Sequence, residues 1–127
     1  LVLDENVLDG TLPTEIGRLT DLFEIVLASN NIGGTLPTEL GYLTALYFLD
    51  LRDNVLEGQL PSELGQMSLL EYFQFNGNDL TGNVDTIFCI NPFVQDLSGN
   101  CLGDSPEITC TCCTRCCTAD GEMCEQL

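Results

Sequence analysis

Eight cysteines carry the most reactive side chains of this chain, and all lie beyond residue 88: Cys89, Cys101, Cys110, Cys112, Cys113, Cys116, Cys117 and Cys124. Their even number and confinement to one end suggest a disulfide-locked cap. A small segment without a core of its own is where such bonds help most. Disulfides in turn imply an oxidising compartment: extracellular, secretory or a similar lumen. Eight cysteines allow about 105 pairings, so the spacing assigns none. The adjacent pairs Cys112-Cys113 and Cys116-Cys117 are expected to bond outward, because a ring closed between neighbours is strained. Thiolates at this density would also suit zinc or another soft ion, a weaker alternative in a chain without histidine.

Other chemistry is poorly supplied. With no histidine, Ser-His or Cys-His activation of a nucleophile is excluded. Glu15, Glu39 and Glu63 could in principle pair as glycosidase carboxylates. They recur at a fixed interval, however, so a repeat explains them better than catalysis does. No glycine loop of phosphate-binding or dinucleotide-binding type occurs. No enzyme and no cofactor is expected.

The elements that must position these residues are set by a period of 24. Asparagine recurs at Asn6, Asn30, Asn54 and Asn78, and glycine at Gly10, Gly34, Gly58 and Gly82. The fullest copy runs Leu22-x-x-Ile25-x-Leu27-x-x-Asn30-x-Ile32-x-Gly34-x-Leu36-Pro37-x-Glu39-Leu40-Gly41-x-Leu43. The next repeats it from Leu46 to Met67. A partial copy precedes them from Leu1, and a decaying one follows from Leu70 to Gly82. The L-x-L core of each copy has strand periodicity, so its two apolar residues face one side. One copy cannot bury that side alone, and stacked copies bury it jointly. The asparagine side chain can bond neighbouring backbone where the chain leaves the strand, so stacked asparagines would form a ladder. Glycine permits the next bend. Proline then fixes φ, and Thr14, Thr38 and Ser62 follow in position to start a short helical turn.

The Asn/Gly pairs and the runs Gly10-Thr11-Leu12-Pro13, Gly34-Thr35-Leu36-Pro37 and Gly58-Gln59-Leu60-Pro61 resemble the leucine-rich repeat family, specifically its plant-type subclass. The resemblance implies an α/β repeat solenoid: a short arc with a parallel sheet on its concave face and a disulfide-rich C-terminal cap. Family members are mostly recognition modules, often receptor ectodomains. The expected organisation is repeats over 1–88, about four coils with the first incomplete, then a capping coil and cysteine-rich tail over 89–127. Cys110-x-Cys112-Cys113-x-x-Cys116-Cys117 also resembles metallothionein spacing. The Cys-Cys-Thr-x-Cys-Cys ending looks like the tail of repeat proteins of diatom-type algae. The repeat decays on approaching the tail. Asn83-Val84-Asp85 replaces Thr-Leu-Pro, and Asn100 follows Asn78 by 22 residues, which suggests a shortened last coil. The apolar residue expected three before Leu97 is read as displaced, with Val94 taking its place only if the spacing has shifted.

Twenty acidic residues oppose three arginines, for a net charge of -17. Phosphate binding needs basic residues, so nucleic acid is a poor partner. A basic protein, a cationic ligand or a divalent ion suits the charge better, as does plain solubility in a saline medium. No apolar run approaches the roughly 20 residues of a membrane span. Leu1 starts inside a strand with no capping element before it. The chain therefore reads as the C-terminal part of a longer one, with an uncapped end open to association.

Residues between and after the core leucines point outward on the concave sheet. They include Glu24, Val26, Phe48, Asp50, Arg52, Asp53, Tyr72, Gln74 and Asn76. Positions that a scaffold does not need are where contacts are placed. Phe48 and Tyr72 occupy equivalent places in neighbouring copies, beside charges, as a hot spot would. The glutamate column is expected to be splayed and solvated. Thr20, Thr44 and Ser68 with Thr14, Thr38 and Ser62 make no flat multi-column threonine face, so an ice-binding array is not expected. The reading is a non-catalytic recognition module of a secreted or cell-surface protein, binding a protein or a carbohydrate. The alternative is a structural subunit of an extracellular matrix, filament or large assembly. Metal binding by the tail ranks third.

Overall fold

The computed structural model describes residues 1–102, 108–118 and 124–126, without the Cys124 side chain. Each L-x-L core forms a short strand: β1 Glu24–Val26, β3 Phe48–Asp50 and β5 Tyr72–Gln74. They stack in parallel at an offset of one period, Glu24 against Phe48 and Phe48 against Tyr72. β7 Asp96–Gly99 continues the stack. β9 Arg115–Cys117 then pairs in parallel with β7, and β10 Cys124–Gln126 closes the edge antiparallel to β9. Val2 bridges to Val26, so the partial first copy pairs as well.

A second sheet lines the opposite wall. It comprises β2 Gly33–Gly34, β4 Val55–Gln59, β6 Asp79–Asn83 and β8 Ile108–Thr109, all parallel. Between the sheets lie the leucines that the repeat marks, with Leu49, Leu51, Leu56, Phe73 and Phe75 essentially inaccessible. The first three coils return through five-residue 3-10 turns, Thr14–Arg18, Thr38–Tyr42 and Ser62–Gln66, and the last through turns over 85–90. The turns stack so tightly that a Cβ on Gly41 would strike the Glu63 carbonyl. This close approach explains the glycine after the turn's leucine. Thr14, Thr38 and Ser62 open these turns, as expected, but make no side-chain cap hydrogen bond. Proline occupies the cap position, and Thr14, Thr38 and Ser62 instead donate to the carboxylates of Glu15, Glu39 and Glu63 at 3.2–3.3 Å.

The asparagine ladder is present. Asn54 Nδ2 donates to Leu27 of the preceding coil at 2.9 Å and to Leu51 and Arg52 of its own, while Oδ1 accepts from Ile32 N at 3.0 Å. Asn30 and Asn78 repeat the pattern one coil earlier and later. Asn100 does not. The strands hold their 24-residue register through Tyr72–Asp96, so the place opposite Asn78 belongs to Leu102, and Asn100 lies opposite Asn76. From there it accepts from Gly77 N and donates to the Asn78 carbonyl. The last coil is therefore not shortened at its strand. Val94 likewise sits three before Leu97 without any shift and packs partly buried on the core.

Candidate functional site

Strand register sets the concave face as rows. One runs Glu24, Phe48, Tyr72, Asp96, and the next Val26, Asp50, Gln74, Ser98. The second row and the residues beyond it are largely tied up among themselves. Arg52 grips the Asp50 carboxylate through Nε at 2.9 Å and Nη2 at 2.7 Å, leaving Asp50 only 2% exposed. Asn76 Oδ1 accepts from the Ser98 hydroxyl at 3.0 Å, with Asn76 6% exposed. Gln74 donates to Asp96 at 2.7 Å, and the Thr114 hydroxyl holds the other Asp96 oxygen at 2.6 Å. Asp50 and Asn76 thus depart from the expectation of solvent-facing contacts. The sequence marks the side of the sheet they occupy, but not the neighbouring side chains that cover them.

The hydrogen bonds that Arg52 donates to the Asp50 carboxylate hold the Arg52 pKa above its ordinary value, against the opposing pull of burial. For a base raised in the folded state, the stabilisation is full below the ordinary pKa and is lost only as pH rises through the raised one. The clamp therefore adds no pH dependence near neutrality. Asp53 is exposed just past β3, at φ 54°. Its left-handed backbone is shared by Glu5, Ser29 and Gly77 at the same repeat position.

The first row is different in kind. Phe48 and Tyr72 lie half-buried with ring centroids 5.7 Å apart. Two rings that sequence reasoning passed over complete the patch. Phe23 and Tyr47 directly precede the strands, 62% and 38% exposed. Tyr47 touches Phe23 at 6.3 Å, Phe48 at 6.2 Å and Tyr72 edge-on at 6.2 Å. Their common repeat position was the available signal, but it falls outside the L-x-L window. Glu24, half-buried beside Phe48 in the row, makes no side-chain hydrogen bond among the described residues. Val26 is half-buried and continues the apolar surface along β1.

In the cap, Cys89 bonds Cys112, Cys101 bonds Cys116 and Cys110 bonds Cys113. Cys117 is also disulfide-bonded, and the side chain of Cys124 lies outside the described residues. Each member of the adjacent pair Cys112-Cys113 bonds outward to a different partner, as expected. Asp85, Cys89, Cys110 and Cys112 bring ligand atoms within 4.8 Å of one another. All three sulfurs are consumed in disulfides, so the set offers no thiolate to an ion. The Asp85 carboxylate instead accepts from Thr111 N at 2.6 Å.

At the first coil the solenoid wall stands open. An apolar groove of about 440 Å³ there is lined by Leu1, Leu3, Leu8, Ile16, Leu27 and Ile32 among others. Among the described residues, no helix is long and apolar enough to cross a membrane.

The Leucine Rich Repeat family profile matches residues 45–67. No curated protein matches the chain. Solved structures do. A PEPR1–AtPEP1 structure is 33% identical, with a TM-score of 0.73 over 76% of this chain and 14% of that one. The plant peptide hormone receptor RGFR1 in complex with RGF2 is 39% identical, with a TM-score of 0.64 over 65% and 14%. A plant ice-binding protein is 35% identical, with a TM-score of 0.63 over 72% and 29%. The chain thus spans less than a third of the length of any of the three. The period read along the sequence reappears as sheet register, the family profile and the solved structures match the same repeats, and the chain belongs to the leucine-rich-repeat family, in its plant-type 24-residue subclass.

Proposed function

We propose that the chain is a non-catalytic recognition module that binds a protein segment on the aromatic rim of its concave sheet. One observation carries the reading: Phe23, Tyr47, Phe48 and Tyr72 form one contiguous patch across three coils. Large apolar side chains left accessible together mark interaction surfaces, and buried aromatic anchors dominate interface energies. The polar rows beside the patch satisfy one another, so they frame it without competing for water. The complexes of PEPR1 with AtPEP1 and of RGFR1 with RGF2 support a protein ligand for this architecture. Phe23 and Tyr47 lie near parallel at 13°, but Tyr72 is turned by 87° from Tyr47 and by 38° from Phe48, which makes a cleft for a side chain across the patch. The disulfides and the receptor-type neighbours support an extracellular setting.

An ice-binding role has less support. A lane across the second sheet reads Thr11, Gly33, Val55, with no row of threonines. The test uses displayed random peptides selected against the wild-type chain. Phe48→Ala with Tyr72→Ala is expected to weaken the selected binders at least about tenfold, with the far-UV spectrum unchanged. Binders indifferent to both substitutions would remove the rim from consideration.

A further inference from the structure

The rim sits in a row whose ends are acidic, and the two acids are not equivalent. Across the strands the register reads Glu24, Phe48, Tyr72, Asp96. Asp96 is held by Gln74 and Thr114 at 2.7 and 2.6 Å. Glu71, next to the rim, accepts from Gln95 at 2.8 Å. Glu24 has no such engagement, and it lies one strand spacing from the Phe48 ring. A carboxylate one strand from a ring that itself packs on a second ring is a place for a cation: the rings attract it through their quadrupoles and the acid through its charge. The chain has no lysine, Arg52 on the neighbouring strand is committed to Asp50 by a two-point grip, and the Leu1 ammonium donates to the Glu24 backbone carbonyl at 2.7 Å and not to its carboxylate.

We propose that the side chain seated on this rim is an arginine or lysine of the partner, stacked over Phe48 and Tyr72 and paired with Glu24. The proposal rests on the rim being the recognition surface. It names the chemistry of the occupant: an extended basic segment of a protein, with apolar residues beside the cation to cover Phe23 and Tyr47. The net charge of -17 steers such a segment in and repels acidic ones. An arginine suits the site best, because its planar fork can lie on a ring and still reach a carboxylate.

Three synthetic peptides of the pattern (Gly-Leu-Xaa)₄, with Xaa as Arg, Gln or Glu, test this. The readout is quenching of tyrosine fluorescence, since the chain has no tryptophan and two of its three tyrosines border the site. The arginine peptide is expected to bind at least about tenfold tighter than the glutamine peptide, and the glutamate peptide not at all. Glu24→Gln should remove about tenfold of that affinity. Glu57→Gln, which neutralises an exposed acid on the second sheet, should change nothing. Equal losses from the two variants would mean diffuse charge attraction and would overturn the proposal, as would no quenching by the arginine peptide up to millimolar concentration. If the glutamine peptide binds as well as the arginine one and Phe48→Ala still weakens both, the cation falls and the recognition surface stands. If Phe48→Ala and Tyr72→Ala leave every peptide unaffected, both fall together.

Discussion

Asn54→Ala is expected to remove about 2 kcal/mol of folding stability, chiefly from the buried Ile32 N–H left without an acceptor, at about 1–3 kcal/mol for such a group. Asn54 is 8% exposed and serves two coils at once. Its amide nitrogen donates to Leu27, Leu51 and Arg52 carbonyls, and its oxygen takes the Ile32 N–H. Alanine leaves the Ile32 donor of the preceding coil with no acceptor, and the Leu27 and Leu51 carbonyls with only the Asn30 and Asn78 amides. Water cannot reach them without opening the stack. A whole domain of this size holds only about 5–15 kcal/mol, so one rung is a large share. Asn6→Ala is the control. Asn6 makes the same bonds to Leu3 and Asp4 of its own coil, but it is exposed, so water can replace it. Its loss should stay within about 1 kcal/mol. Urea unfolding of the two variants decides the point, and equal costs would show that the ladder follows the fold rather than holding it.

The same rung shows what the sequence made legible. Period, strand register, core leucines and ladder all follow from one spacing, because stacking copies the local geometry of each coil into the next. Counting asparagines failed at Asn100, since the residue type recurred without its register. The strand pairing of Phe73 with Leu97 shows where the coil truly lies. The candidate site was half legible. Alternation put Phe48 and Tyr72 on the accessible face. It could not show that Arg52 folds back over Asp50 or that Ser98 binds Asn76, because those contacts depend on side chains two residues or one coil away. Phe23 and Tyr47 were missed for a related reason: they precede the strand, and their exposure comes from the bend of the coil and not from its pleat. Disulfide pairing lay beyond the spacing altogether, since it needs the path of the tail across the last coil.

That path carries the second large effect. Replacing Cys89 and Cys112 together with alanine is expected to cost about 3.4 kcal/mol, the chain entropy released when a closed loop of this length is opened. The two residues are 23 apart, against 15 for Cys101–Cys116 and 3 for Cys110–Cys113. By the same relation the others should cost about 3.0 and about 1.6 kcal/mol. A rival account ranks them by burial. Cys113 and Cys116 are 4% and 3% exposed and belong to the core cluster, whereas Cys89 and Cys112 are only half-buried. Packing would therefore make either of the shorter loops more costly than the longest. Unfolding of the three paired variants by urea separates the accounts. A Cys110/Cys113 variant weaker than the Cys89/Cys112 variant would mean that the tail acts as a hydrophobic lid whose sulfurs pack. The entropic order would mean that it acts as a tether. The tether has a physical reason to dominate. The tail brings short strands to the sheet edge, too small to bury much surface of their own, so limiting the unfolded chain is the larger stabilisation available to it.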